Sequence, residues 1–575
     1  MNNKYKIIST ISLIGAITIT ILLVFKVINY KSSSESLEVN LTDLTYTSGD
    51  IKSYEISDFN TFLTDYNNGT LPKIYITKFL FDGVSMYKPY DLDDFIESGN
   101  ETEVDVLEIT TININTTGSI KLSGELKGGM IAVNTNNVTK DINLLLNGVN
   151  IDTDSKKVPV IYVYNKDINY TNSKVTINAL NNTNNYLEGG KLKKLSLIPN
   201  DKLTDYTSKY NSDNKNNYEK YTNYYGIYSE NEINNILFAT VTADDEDLSD
   251  GDPYYFYKAS GAISSDIDLY FEGEGYLEVT SKNKEGIETK GNLSFQGGSG
   301  DYVINAEDDC LNTTTDNKEN SNARNNLTID VNSLKAIVSN DADEGDAIDS
   351  NGELIINGGI IMAIAKPGGD AGIDSENGTY INGGTIIATG DMYDKINESS
   401  NQRFIVLSFG NRPIENDIIT LLDSSDNVVF AYQTDRTYSN LVYSSSILTD
   451  ATYTLYKNGT INGTLENGLY NNVTSYEKGT QLAYSSNTGN LGGGQQGMPS
   501  SNIINDNNPK EKPSNDNAQG NNPKERPNDS DNMLPPDQNE RPSSEMPNNN
   551  ATATNKDFTL NGIANLFSGI ATYQE

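Results

Sequence analysis

The 575-residue chain contains no histidine, no tryptophan and a single cysteine. Without histidine, it can form neither a Ser-His-Asp or Cys-His catalytic centre nor a histidine-ligated zinc site. Without tryptophan, stacking on a sugar ring is left to the 36 tyrosines and 15 phenylalanines. The lone Cys310 excludes an internal disulfide, and we interpret it as a small buried packing residue.

Positive charge is also scarce. The chain has 42 lysine and arginine residues against 79 aspartate and glutamate residues, a net charge of −37. Such an acidic surface repels phosphate groups, so we expect no nucleic-acid partner. It is compatible with divalent cations, and with anionic polymers that such cations bridge.

One long apolar run stands at the N-terminus, from Ile7 to Phe25, preceded by Lys4 and Lys6 and followed by Lys26. As a helix this run would reach roughly 28 Å, close to the thickness of the hydrocarbon core of a bilayer. No small-x-small cleavage site follows it. We therefore predict an uncleaved membrane anchor at residues 1–30, in preference to a cleaved signal peptide. In either case the bulk of the chain is exported, and faces outside at the cell membrane or is secreted.

The rest of the chain divides by composition. Short alternating runs that end in Gly and Asn turns begin near residue 106, and the absence of a helical period between them argues against βαβ units. The predicted divisions are a region of unclear fold at 31–105, a main domain at 106–400 with an insertion at 190–258, a small β module at 401–486, a disordered Pro/Asn-rich linker at 487–556 and a short apolar segment at 557–575. The insertion is rich in tyrosines, which form either a stacking platform for sugars or a loop packed on itself. The terminal segment is either a docking peptide for a protein partner or a terminal strand.

An internal repeat is the clearest feature of the main domain. One apolar position recurs at Ile263, Ile287, Leu311, Ile348 and Ile373, with spacings of 24, 24, 37 and 25 residues; the long spacing contains a polar insertion at 313–325. A second apolar position follows eight residues later, at Phe271, Phe295, Ile356 and Ile381, with Ile329 as the displaced equivalent. This period predicts an all-β fold, a right-handed parallel β-helix. We expect a solenoid of about 24 residues per coil, with a small C-terminal β-sandwich-like module and a disordered tail.

Acidic residues recur with the same period. Those before the apolar anchor are Glu285, Asp309, Asp346 and Asp370, and those after it are Glu288, Asn312, Asp349 and Asp374. Carboxylates stacked about 5 Å apart repel each other by roughly 3 kcal/mol per pair, so a column of them needs protons, lysines or a divalent cation. Calcium prefers six to eight oxygen ligands, which stacked aspartates and turn carbonyls supply. The alternative is that these are solvated acidic turns that keep the protein soluble.

The units Asp346 to Gly359 and Gly372 to Ile386 resemble those of a bacterial cell-surface carbohydrate-binding family, which is related in fold to the pectate lyases. The resemblance implies binding of cellulose or acidic plant-wall sugars, and Ca²⁺ held by carboxylates at the ends of the coils. The positions that match are Asp308, Asp309, Asp343, Asp346, Asp349, Asp370 and Asp374.

These observations favour calcium-dependent or calcium-stabilised, non-catalytic binding of polysaccharide at the cell surface. One alternative is a polysaccharide lyase, which would use calcium and a base drawn from Lys282, Lys290, Arg324 and Lys366. The other is a structural or adhesive surface rod whose terminal segment binds a protein partner.

Overall fold

The computed structural model describes residues 36–81, 109–190, 258–314, 325–488 and 553–574, with gaps at 48, 137, 139, 155–157, 166–173 and 395. It also describes the backbone of short strands at 86–87, 192–193, 197–199, 218–221 and 236–241. In the described ranges no helix has both the length and the apolar character needed to cross a bilayer. The predicted anchor at 1–30 and nearly all of the predicted linker lie outside these ranges.

The described chain is all-β, as predicted, apart from the helix Phe59–Asn67 and the 3-10 turn Ile56–Asp58 before it. Ten strands form one sheet, in the spatial order Lys52–Tyr54, Ile74–Thr77, Thr110–Ile114, Gly129–Asn134, Ile161–Tyr164, Ile263–Ser265, Ile287–Thr289, Leu311–Thr313, Ile348–Ser350 and Asp374–Ser375. We call this the ten-stranded sheet. From Thr110–Ile114 onward, each of its strands pairs in parallel with the next.

A second and larger set of strands forms a closed barrel. Its parallel strands are Leu37–Asn40, Gly118–Lys127, Ile142–Asp152, Val175–Ala179, Asn184–Gly189, Leu269–Gly273, Tyr276–Ser281, Leu293–Phe295, Asp301–Ala306, Leu327–Val338, Leu354–Ile364, Thr379–Ile381 and Thr385–Gly390. Its other strands are Thr45–Tyr46, Gly49–Asp50, Phe404–Phe409, Ile418–Leu422, Val428–Gln433, Asn440–Ser444, Thr452–Lys457, Thr460–Glu466, Leu469–Glu477, Thr480–Ala483, Ser486–Thr488, Phe558–Thr559 and Ala564–Thr572. The strands at 404–488 and 558–572 are called the C-terminal region below.

This closure corrects the predicted architecture. We expected an open right-handed parallel β-helix of about 24 residues per coil with a small β-sandwich-like module at its end. The prediction is wrong, because the strands of the large sheet, including those of the C-terminal region, form a closed barrel. The physical reason is the exposed edge that an open stack would leave at Thr385–Gly390, which instead pairs antiparallel with Asn440–Ser444. Pairing between such distant strands leaves no periodic signal in the sequence.

The predicted repeat positions do lie in register. In the ten-stranded sheet, Ile263 pairs with Ile287, Ile287 with Leu311 and Leu311 with Ile348. The second apolar series aligns in the barrel as Phe271, Phe295, Ile329, Ile356 and Ile381. All of these side chains are fully buried in one continuous core between the barrel strands and the ten-stranded sheet. Within it the rings of Phe271 and Phe295 stack with centroids 4.7 Å apart.

The glycines of the Gly-Gly turns are required by backbone conformation. Gly359 has φ +108° and Gly384 has φ +92°, a region that other residues rarely adopt. A Cβ atom at Gly359 would lie 2.6 Å from the carbonyl oxygen of Val331, and one at Gly384 would lie 2.6 Å from that of Gly359. Neighbouring barrel strands therefore approach each other too closely at this corner for any side chain.

The C-terminal region forms a second core with the last parallel strands of the barrel. Met362, Ile364 and Ile387, on the outer side of the last parallel strands, pack with buried residues of the C-terminal region such as Leu407 and Phe567. The terminal segment, for which the sequence left two alternatives, is a strand: Ala564–Thr572 pairs with Phe404–Phe409 and also with Ser486–Thr488.

The predicted insertion at 190–258 is closed at its base by Leu192–Lys193 pairing antiparallel with Lys258–Ala259. A three-stranded antiparallel sheet follows within it, formed by Leu197–Pro199, Ile236–Val241 and Tyr218–Tyr221. A last small pair joins Leu80–Phe81 to Met86–Tyr87. The side chains of the insertion's tyrosines lie outside the described residues, so the predicted stacking platform there stays a prediction.

Candidate functional site

The acidic column predicted after the apolar anchors is present in the ten-stranded sheet. Each of these strands is only two or three residues long, and their parallel register places the residue after each anchor beside its equivalent in the next strand. Glu288 pairs with Asn312, Asn312 with Asp349, and Asp349 with Asp374. We call these four residues, with the acidic residues that precede the anchors, the acidic ladder.

The residues before the anchors also align, except at the last coil. The amide of Gly286 donates to the carbonyl of Asp309, and that of Cys310 to the carbonyl of Asp346. The next carbonyl in this column belongs to Ala371, not to Asp370, because the last unit carries one extra residue before its anchor. Asp370 is therefore displaced from the column by one position.

Backbone and side-chain amides hold the ladder carboxylates. Asp309 Oδ1 accepts from the amide of Asp346 at 2.8 Å, and its Oδ2 accepts from Asn312 Nδ2 at 2.8 Å. Asp346 Oδ1 accepts from the amide of Ala371, and Asp374 Oδ1 from that of Ser375. These bonds fix the orientation of the carboxylates of Asp309, Asp346 and Asp374.

Burial and mutual repulsion act together on these groups. Burial raises the pKa of Asp309 well above its usual range, and the nearby charges of Asp349 and Asp346 raise it further. Burial is also the first cause for Asp346, whose pKa rises to about 8, and for Asp349, whose pKa rises to about 7. The pKa of Asp374 is raised by burial and by the charge of Asp394. Ionising the ladder carboxylates therefore costs free energy, and a bound cation would offset that cost.

Two predicted ligands lie away from the ladder. Asp308 is buried in an ion pair with Lys284, and Asp343 is exposed while its backbone carbonyl accepts from Lys366. The ladder gains a residue that the repeat did not indicate, Asp394, whose Oδ2 accepts from the Ser375 amide at 3.2 Å. Asp394 lies only twenty positions after Asp374, outside the 24-residue period, so spacing gave no signal for it.

Two buried oxygen atoms of the ladder have no hydrogen-bond partner. Glu285 is 6% exposed, and its Oε2 is unpaired. Asn312 uses its amide nitrogen on Asp309, which leaves Oδ1 buried and unpaired. Oxygens of this kind are the ligands that Ca²⁺ prefers. In the described part of the chain, however, no three acidic or thiol groups already converge closely enough to hold a metal ion.

The lysines considered as catalytic bases are engaged elsewhere. Lys290 pairs with Asp266 at 3.3 Å and Lys282 with Glu188 at 3.1 Å. Lys366 donates to the carbonyl of Asp343, and Arg324 lies outside the described residues. Cys310 is a buried free thiol whose pKa is raised by burial, as expected of a packing residue.

The model of one protein family, described as carbohydrate-binding domain-containing protein, matches residues 108–204 and 227–434. These ranges make up more than half of the chain and contain the acidic ladder. The chain belongs to this family of carbohydrate-binding domain proteins. The predicted resemblance to a carbohydrate-binding family is thereby confirmed, whereas the likeness to pectate lyases is no part of what the match shows. No curated protein and no solved structure matches this carbohydrate-binding domain protein.

Proposed function

We propose that this protein binds polysaccharide outside the cell without chemically altering it, and that Ca²⁺ on the acidic ladder stabilises the binding domain. The observation that carries the proposal is the family match, which spans the ladder and the parallel strands from Thr110–Ile114 to Thr385–Gly390. The candidate ligands are cellulose and acidic plant-wall sugars.

The residues of the ladder support the calcium part of the proposal. Asp346, Asp349 and Asp374 are the candidate ligands and would have to move closer together to share an ion. The unpaired oxygens of Glu285 and Asn312 provide further hard ligands next to Asp309. Bound calcium would supply positive charge that offsets the repulsion between the stacked carboxylates. The protein's own contribution is to orient the carboxylates through the amides of Ala371 and Ser375.

The sequence of the N-terminal segment supports the cell-surface part. The apolar run from Ile7 to Phe25 between lysines is the sequence basis for a membrane anchor with the remaining chain outside. Extracellular calcium is abundant enough to fill sites of modest affinity, in the millimolar range typical of extracellular modules.

The first expected result is retention of the purified chain on a polysaccharide. The chain is incubated with insoluble cellulose and with immobilised polygalacturonate, each with calcium and with a chelator, and the unbound fraction is measured. We expect depletion from solution by at least one of them when calcium is present. Recovery of all the protein in the unbound fraction from every polysaccharide, with calcium present and the chain folded, would refute the proposed function.

The second expected result concerns catalysis. A lyase reaction on polygalacturonate produces unsaturated ends that absorb ultraviolet light. Because Lys282, Lys290 and Lys366 are all engaged by carboxylates or a carbonyl, we expect no rise in absorbance with calcium present. A steady increase that is lost when Lys290 is replaced by alanine would instead identify the protein as a lyase.

A further inference from the structure

The barrel presents an aromatic pair on its outer side. In the strands Asn184–Gly189 and Tyr276–Ser281, alternate residues point away from the core. Tyr186 and Tyr276 lie on this side with ring centroids 5.9 Å apart and ring planes inclined by 59°, and Tyr186 is 43% exposed. Tyr186 is thus a large aromatic residue of the barrel that remains substantially accessible to solvent.

Polar side chains surround the pair. The Tyr276 hydroxyl donates to Glu278 Oε2 at 2.8 Å, and Asn305 Nδ2 donates to Glu278 Oε1 at 3.4 Å. Register places Tyr186, Glu278, Val303 and Lys335 in one row across four strands. This row, with the adjacent row of Tyr276, Asp301, Ser333 and Ile360, is called the tyrosine face.

One end of the tyrosine face is bounded. The hairpin of Thr460–Glu466 and Leu469–Glu477 turns at Asn467 and Gly468, both with positive φ. Lys335 Nζ donates to Asn467 Oδ1 at 3.3 Å, so the hairpin tip meets the face at this row. From there the face runs to Tyr186, three strands away.

We propose that the tyrosine face binds a neutral polysaccharide chain laid across the strands, with Tyr186 and Tyr276 stacking on sugar rings and Glu278 accepting from sugar hydroxyls. This inference rests on the proposed function, and it assigns that function a site and a class of ligand. Strands repeat every 4.8 Å or so, close to the length of one pyranose ring, so each strand meets one sugar unit. Amphipathic aromatic rings beside hydrogen-bonding groups are the combination that recognises a sugar's apolar face and its hydroxyls together.

The charge of the tyrosine face favours neutral over acidic sugars as its ligand. Glu278 and Asp301 belong to the face, while Glu188 stands in the next row and is paired with Lys282 at 3.1 Å. Lys335, at the far end, is the remaining cation of the two rows. The net negative charge repels a uronate but leaves carboxylate oxygens as acceptors for neutral hydroxyls.

The test measures depletion of the full chain by insoluble cellulose and by immobilised polygalacturonate. The variants are Tyr186→Ala, Tyr276→Ala and Tyr186→Phe. Tyr380→Ala is the matched control, because Tyr380 is also a half-buried strand tyrosine but lies in Thr379–Ile381, outside the tyrosine face. Thermal unfolding and sedimentation of every variant are recorded alongside.

We expect each alanine variant to bind cellulose about tenfold more weakly, while Tyr186→Phe and Tyr380→Ala bind as the unchanged chain does. Unchanged binding by a Tyr186→Ala, Tyr276→Ala double variant overturns the site but leaves the proposed function standing. Retention on polygalacturonate alone overturns the neutral class. If a variant alters sedimentation but not retention, the tyrosine face is instead a contact between copies of the chain, which overturns the proposed site. If the unchanged chain binds neither polysaccharide, both proposals are overturned.

Discussion

A chain that ends at Thr488 is expected to lose the folded C-terminal region. The truncation removes Ala564–Thr572, which lies between Phe404–Phe409 and Ser486–Thr488, and with it the fully buried Phe567 and Ile570. Loss of each such side chain costs about 2–5 kcal/mol, and the unpaired strand adds to that cost. Thermal unfolding should show a new transition at lower temperature, and near-ultraviolet circular dichroism should show loss of tyrosine packing.

An added peptide and two single substitutions test whether the lost stability comes from the terminal strand itself. A synthetic peptide of residues 553–575 should restore the lost transition when added in excess, since the strand is supplied by mass action. Phe567→Ala should destabilise the full chain, while Leu465→Ala, at a side chain 46% exposed, should not. If the truncated chain unfolds like the full one, the terminal strand does not contribute to the fold as described.

Without metal, the protein is expected to become less stable as pH rises from about 4 to about 8. An unfolded aspartate has a pKa near 3.9, whereas folding raises that of Asp346 to about 8 and that of Asp349 to about 7. Between these values the folded chain binds more protons than the unfolded chain, so the free energy of unfolding falls as pH rises. Because one pKa unit corresponds to about 1.4 kcal/mol, the loss should amount to several kcal/mol, measured as the urea midpoint in a chelating buffer.

Calcium should reverse most of this loss, because it binds the ionised carboxylates of the folded chain only. Asp346→Asn keeps an oxygen for the amide of Ala371 but cannot ionise, so it should flatten the pH dependence and weaken the response to calcium. Asp341→Asn, at an exposed aspartate off the ladder, is the matched control and should change neither. A urea midpoint that is the same with chelator and with calcium at pH 8 would contradict a calcium site on the ladder.

Local periodicity in the sequence was sufficient to predict much of the parallel part. Ile287, Leu311 and Ile348 recur with the coil, so their pairing and the alignment of Asp349 with Asp374 follow from spacing alone. The barrel closure was not predictable in this way, because Asn440–Ser444 reaches back to Thr385–Gly390 without any repeat to mark it.

The candidate sites, too, were predictable from the sequence only in part. Asp309 and Asp346 were predicted because they precede an anchor, while the extra residue in the last unit moved Asp370 out of the column. Tyr186 and Tyr276 carry no sequence signal among 36 tyrosines. They become neighbours only because Asn184–Gly189 and Tyr276–Ser281 pair across the insertion that separates them in sequence.

If a calcium-stabilised domain binds polysaccharide through the tyrosine face, a retention isotherm on insoluble cellulose should show it. The unchanged chain, Asp346→Asn and Tyr186→Ala are compared at a temperature where all three are folded. We expect the unchanged chain and Asp346→Asn to be retained, since the ladder acts through stability, and Tyr186→Ala to be retained about tenfold less. Equal and negligible retention of all three, with and without calcium, would contradict this expectation.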